Sequence, residues 1–105
     1  MMTIKSKGEF QRVFREGARA NRRTVRVCGV TCEGDGKVAF VAAKRLGTAV
    51  LRNRSKRVLR EAMREVGVVD GCKVILFATR ATAKAHPHDV ACDLRQCLAR
   101  LGFAQ

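Results

Sequence analysis

The sequence predicts an α+β sandwich, with helices packed on a single sheet. Three observations carry this expectation. Segments of helical and of strand periodicity follow one another in the order α-β-β-α-β-α. Residues 72–79 (CKVILFAT) are apolar apart from Lys73 and Thr79, and the run has the length of a buried strand. The chain has 105 residues, which suits one domain over 1–105. A chain of that size buries roughly two thirds of its unfolded surface and needs no staples.

From the N-terminus, Ser6-Lys7-Gly8-Glu9 has the capping-box pattern, in which Ser6 caps the helix and Glu9 reaches back. Phe10, Val13 and Phe14 then fall at i, i+3 and i+4 on one face of a short helix, and Gly17 supplies its stop. Residues 18–23 read as loop. Residues 24–32 are rich in Val and Thr and predict a strand. Glu33-Gly34-Asp35-Gly36 predicts a turn and residues 37–43 a second strand, so that the two strands form a hairpin. Residues 48–66 predict the best-defined helix, ending near Gly67. Pro87 suits a first helical turn, and Val90, Leu94, Cys97, Leu98 and Leu101 recur with helical spacing up to Gly102.

Composition narrows the function. Lys and Arg number 22 against 9 Asp and Glu, a formal charge of +13 with a pI near 10.8. Such a charge opposes compaction by self-repulsion unless a polyanion neutralises it, whereas solubility alone needs a magnitude of only about 2–8. An anionic partner is therefore expected. Arg supplies most of the excess, and its planar fork grips phosphate bidentately. An apolar share of 47% excludes a disordered basic tail. The five cysteines (Cys28, Cys32, Cys72, Cys92, Cys97) are odd in number and form no C-x-x-C, and no segment resembles a secretory signal. They are expected to be small buried hydrophobes in a reducing compartment. No apolar run approaches the ~20 residues of a membrane span. The expected location is the cytoplasm, with no membrane partner.

Residues 44–64 (KRLGTAVLRNRSKRVLREAMR) hold eight basic residues and one acid, Glu61. At about 100° per residue, Leu51, Val58, Leu59, Ala62 and Val66 share an arc that faces the core. Lys56, Arg57, Arg60, Arg64 and the amide of Asn53 cluster on the opposite arc, and Arg52 and Arg54 flank the apolar stripe. A solvated face interleaves acids and bases as i,i+4 pairs; this one is nearly all positive. Like charges at that spacing cost a few tenths of a kcal/mol per pair, which a phosphate partner relieves. Glu61 is expected to pair with a neighbouring Arg rather than to act as a catalytic acid.

The run Lys44-Arg45-Leu46-Gly47-Thr48-Ala49-Val50, followed by Arg52-Asn53-Arg54, Lys56-Arg57 and Arg60-Glu61, resembles the signature of the bacterial ribonuclease P protein family, K-[KR]-x-G-x-A-V-x-R-N-R-x-K-R-x-x-R. The family's upstream Phe-x-x-Val-Phe and its following Gly are matched by Phe10, Val13, Phe14 and Gly17, so the likeness runs over about residues 6–101. The resemblance implies a two-layer sandwich of a four-stranded mixed sheet with three helices. It is like the second domain of ribosomal protein S5, with a left-handed β-α-β crossover around the R-N-R helix. The fourth strand would then lie in residues 18–23.

The same resemblance implies a non-catalytic protein subunit of an RNA-based endoribonuclease. Its RNA subunit removes the 5′ leader of precursor tRNA, using Mg²⁺, and the protein is a monomer, one per RNA, with no firmly bound cofactor. The R-N-R helix is implied to dock on the RNA subunit through Lys44, Arg45, Arg52, Asn53, Arg54, Lys56, Arg57, Arg60 and Arg64. A cleft between the first helix and the sheet is implied to hold the leader. Phe10 and Phe14 are its aromatic candidates, and Arg15, Arg19, Arg22, Arg23 and Arg26 its backbone contacts. Spacing alone leaves two readings open for the Phe pair, core or base platform. The chain departs from the family in carrying Thr24, Val25 and Val27 where strand aromatics are common, and Ala43 where a Ser is common. It also has no Tyr or Trp, and it lacks the basic tails often seen.

The residues themselves offer no H-E-x-x-H, paired carboxylates, P-loop or nucleophile–base pair, so no catalytic residue is expected in the protein. His86, His88 and Cys92 are expected to be helix-terminal surface residues and no metal ligand is expected. Three other classes compete: a ribosomal or other structural RNA-binding protein, a DNA-binding regulator with the basic helix in a major groove, and a nuclease acting by itself, which lacks catalytic residues. The first is separated only by the R-N-R run. The second needs a helix-turn-helix partner, which the flanking strand-like segments do not provide.

Overall fold

Local side chains set the helix ends. In the computed structural model, which describes residues 2–67 and 70–103, Ser6 Oγ accepts the Glu9 amide at 3.3 Å and opens α1 (Lys7–Glu16). Thr48 Oγ1 accepts the Leu51 amide at 3.3 Å and opens α2 (Ala49–Val66). His86 Nδ1 accepts the His88 amide at 3.0 Å and Pro87 takes the first position of α3 (Pro87–Leu101), which Gly102 closes in the left-handed conformation. Two caps differ from the expected form. Glu9 does not close the capping box; its carboxylate reaches Lys73 at 2.9 Å and Lys37 at 3.2 Å and ties α1 to the sheet. Gly17 ends α1 in extended backbone, φ −71°, not in the left-handed region. Glycine is required there by close approach, because a Cβ would stand 2.5 Å from Val13 O and 2.7 Å from Cys28 Sγ.

The strands are β2 (Ala18–Asn21), β3 (Val25–Thr31), β4 (Lys37–Val41) and β5 (Cys72–Ala78), and the two-residue β1 (Met2–Thr3) adds to the edge of β4. The sheet order is β1-β4-β5-β3-β2. The α+β class, the mixed sheet of four full strands and the three helices are as the resemblance implied. The expectation of a loop over residues 18–23 is corrected by β2, which pairs antiparallel with β3 from Ala18↔Gly29 to Asn21↔Arg26. The expected hairpin is also corrected. β5 lies between β3 and β4, antiparallel to the first and parallel to the second. The turn after β3 is pinned instead to the start of β5, through Cys32 N to Gly71 O at 2.9 Å and Gly71 N to Gly34 O at 3.1 Å. A strand as apolar as β5 gains most where both its faces are covered, which is the centre of the sheet.

Alternation along β5 divides the core. Cys72, Val74 and Leu76 pack beneath α2 and α3 with Val25, Val27, Leu59, Leu94 and Leu98. Ile75 faces the other way, towards Val13 of α1, with Phe10 and Phe77 packed beside it. Three cysteines are buried as expected: Cys28, Cys72 and Cys97. Burial pushes the thiols of Cys72 and Cys97 up to about 11. Two depart from that expectation: Cys32 is only half-buried, and Cys92 is exposed because it lies on the outward face of α3. Leu51 departs from the expected core arc as well. The residue is 43% exposed, since α2 meets the core only from Ser55 onwards. Ser55 and Met63 complete the buried arc.

Candidate nucleic-acid interface

Where α1 crosses the sheet it leaves a cleft of about 280 Å³, lined among others by Phe14, Arg19, Arg26, Arg45 and Phe77. The sequence puts Phe14 one helical turn beyond Phe10, so the two rings share a face but reach different depths. Phe10 is half-buried against the Val13–Ile75 cluster. Phe14 is 43% exposed. Its ring lies 6.5 Å from Phe10, almost parallel, and 6.0 Å from Phe77, edge-to-face. Arg19 sits over the Phe14 ring at 4.5 Å, and its Nη2 donates to Phe14 O at 2.9 Å. A guanidinium thus lies over one face of the ring, a cation–aromatic pair suited to meet a base and its phosphate together.

Phe77 was not among the residues expected here. Its signal lay in the alternation of CKVILFAT, which puts Phe77 and Ile75 on one face and Leu76 on the other. Val25 and Val27, read as standing where strand aromatics are common, belong to the core under α2 and α3. On the cleft side β3 presents Arg26 and Cys28, and the neighbouring β5 supplies the ring. Ala43 lines the same cleft.

The remaining leader candidates are not gathered with this group. Arg22 and Arg23 line a separate cavity of about 600 Å³ with Lys84, His86, Asp89 and Asp93. Arg22 pairs with Asp93 at 3.5 Å. Burial alone would raise the Asp93 carboxyl, but the Thr24 hydroxyl at 2.7 Å, the Thr24 amide at 3.2 Å and Arg22 outweigh it and hold the group below the usual carboxylate range. Arg15 is exposed in the last turn of α1 and lines neither cavity.

On α2, Asn53, Arg54, Arg57, Arg60 and Arg64 are exposed, as the helical wheel requires. Lys56 and Arg52 are half-buried, and Arg52 Nε is buried with no hydrogen-bond partner among the described residues. Arg60 lies 5.5 Å over the Phe40 ring, a stacking that leaves its in-plane donors open to phosphate. Glu61 forms no ion pair among the described residues, contrary to expectation; Glu65 instead pairs with Arg95 at 3.4 Å and shares a hydrogen bond with His88 Nδ1 at 2.8 Å. Lys44 and Arg45 are exposed on a short 3₁₀ turn (Lys44–Leu46) between β4 and α2. Arg45 therefore stands where the basic helix and the cleft meet. Among the described residues no three His, Cys, Asp or Glu side chains gather to hold a metal, and no helix is long and apolar enough to cross a membrane.

A sequence profile of the family described as Ribonuclease P matches residues 1–102. The chain is 36% identical over 99 residues to the ribonuclease P protein component of Nocardioides sp., covering 89% of this chain and 85% of the relative. It is 31% identical over 103 residues to that of Exiguobacterium sibiricum, covering 94% and 89%. An RNase P protein structure from Staphylococcus aureus superposes with a TM-score of 0.82 at 22% identity, over 100% of this chain and 99% of the other. One from Thermotoga maritima does so with 0.77 at 19%, over 100% and 99%. Those two likenesses speak for the fold; the profile and the sequence relatives, spanning the exposed Arg rows of α2 and the aromatic cleft alike, place the chain in the ribonuclease P protein family.

Proposed function

We propose that this protein is the RNA-binding subunit of a ribonuclease P holoenzyme. α2 docks on the catalytic RNA subunit, the cleft beneath α1 holds the single-stranded 5′ leader of precursor tRNA, and the RNA performs the cleavage. The observation that carries the reading is the exposed Phe14 ring, held edge-to-face by Phe77 and covered by Arg19, with Arg26 and Arg45 on the same cleft. Every base offers a π-face, so such a platform takes leaders of any sequence. Among the described residues no carboxylate lines the cleft, where Phe14, Phe77 and three Arg side chains stand, whereas Mg²⁺ prefers oxygen ligands. Mg²⁺ is accordingly assigned to the RNA. The protein's positive charge screens phosphate repulsion and lowers the Mg²⁺ concentration the holoenzyme requires. The protein acts as a monomer, one per RNA, in the cytoplasm.

The test is a salt titration of binding to the RNA subunit. If roughly six to ten phosphates are neutralised, affinity falls by about 10³ to 10⁵ between 50 and 200 mM salt. A flat response would remove the electrostatic interface. The purified protein alone should leave precursor tRNA intact, and cleavage by nuclease-treated, RNA-free protein would move the chemistry from the RNA to the protein.

A further inference from the structure

Three large apolar side chains stand exposed among the described residues: Phe14, Val50 and Leu51. Phe14 belongs to the cleft. Leu51 lines a second groove, of about 550 Å³, between the start of α2 and the segment joining β5 to α3. Arg45 and Arg54 line it from one side of the chain and Arg80 and Lys84 from the other, and no carboxylate lines it. Gly47 keeps the leucine uncovered: its φ is +126°, and a Cβ there would stand 3.0 Å from Leu51 Cδ1. Ser55 turns its hydroxyl away from any ligand, donating to Leu51 O at 3.0 Å.

The far wall is built before any ligand arrives. Thr82 is fully buried; its hydroxyl accepts the Thr79 amide at 2.8 Å and donates to Thr24 O at 2.7 Å. The Thr79 hydroxyl donates to Arg23 O at 2.7 Å. Residues 80–84 are thereby tied to the turn between β2 and β3, which holds Arg80 and Lys84 opposite α2. Four cations around one exposed leucine repel one another and leave apolar surface wet. A nucleotide relieves both, its phosphate neutralising the cations and its base covering the leucine.

We infer that this groove is a further RNA-binding site, which seats an unpaired nucleotide of the RNA subunit with its base against Leu51 and its phosphate between Arg54, Arg80 and Lys84. The inference rests on the docking of α2 on that RNA, since Leu51 and Arg54 lie in the first turns of that helix. The volume falls within the roughly 300–1,000 Å³ of clefts that hold small ligands. An unpaired nucleotide is required because a base within a duplex has no free face to offer.

The experiment measures binding of the full-length protein to the RNA subunit alone, across a salt series, for Arg80→Ala, Lys84→Ala, Leu51→Ala and Arg57→Ala, each checked for an unchanged far-UV spectrum. Arg80→Ala and Lys84→Ala should each weaken binding and lower the slope of log affinity against log salt by about 1. Leu51→Ala should weaken binding by about fivefold with no change in slope, because an apolar contact releases no counterion. Parent-like affinity and slope for the three groove variants, with Arg57→Ala impaired, would overturn the groove and leave the docking of α2 standing. Parent-like behaviour of all four would overturn both. Loss confined to precursor tRNA, with RNA-subunit binding intact, would overturn the inference by assigning the groove to the substrate.

Discussion

Replacing Phe14 by Ala separates a base platform from a core residue. A fully buried Phe→Ala change costs ~3–5 kcal/mol. Phe14 is 43% exposed, with Phe10, Phe77 and Arg19 against its ring, so roughly half of that applies. The expected loss is ~1.5–2.5 kcal/mol, which lowers the melting temperature of a domain this size by roughly 6–12 °C and leaves it folded at 25 °C. Binding should respond differently. A stacked leader base is worth ~1–3 kcal/mol, so affinity of the holoenzyme for precursor tRNA should fall by about 5- to 150-fold. Mature tRNA, which has no leader, should bind the variant and the parent equally. The assay is a paired measurement of both affinities at 25 °C, with calorimetric melting of the free protein. Equal losses for precursor and mature tRNA, or a parent-like precursor affinity, would refute the platform.

Two further outcomes are expected. Arg45→Ala should weaken both RNA-subunit binding and precursor binding, because Arg45 lines the cleft and the groove beside α2, whereas Arg57→Ala should weaken assembly alone; titrating each variant with each RNA checks this. Glu9→Gln should detach α1 from the sheet in a pH-dependent way. The Lys73 hydrogen bond, helped by Lys37, outweighs burial and holds the Glu9 carboxyl below its ordinary value of 4.5. A depressed carboxyl contributes its full stability above that ordinary value and loses it as pH falls through the folded-state value. Melting curves of parent and variant should therefore differ at neutral pH and converge under acid conditions, and a gap constant across the whole range would show that the charge of Glu9 is not what anchors the helix.

What the sequence determined by itself was local or additive. Helix ends were readable because Ser6, Pro87 and Gly102 act within one turn of where they stand. The polyanion partner was readable because net charge is a sum that needs no geometry. The R-N-R run announced its family for a similar reason, since a helix turns its own sequence into a face. Tertiary structure decided everything that depends on which segments meet. Residues 18–21 (ARAN) carry no β-branched side chain and became a strand only by pairing with β3. The turn after β3 looked like a hairpin because turn chemistry reports a reversal and not a partner; the apolar β5 claimed the place between. The same non-local choice put Phe77 beside Phe14, sent Arg22 and Arg23 to another cavity, and left Leu51 uncovered among four cations. Sheet order and the depth at which a side chain is buried are set by the free energy of covering the whole core at once, and no window of sequence contains that quantity.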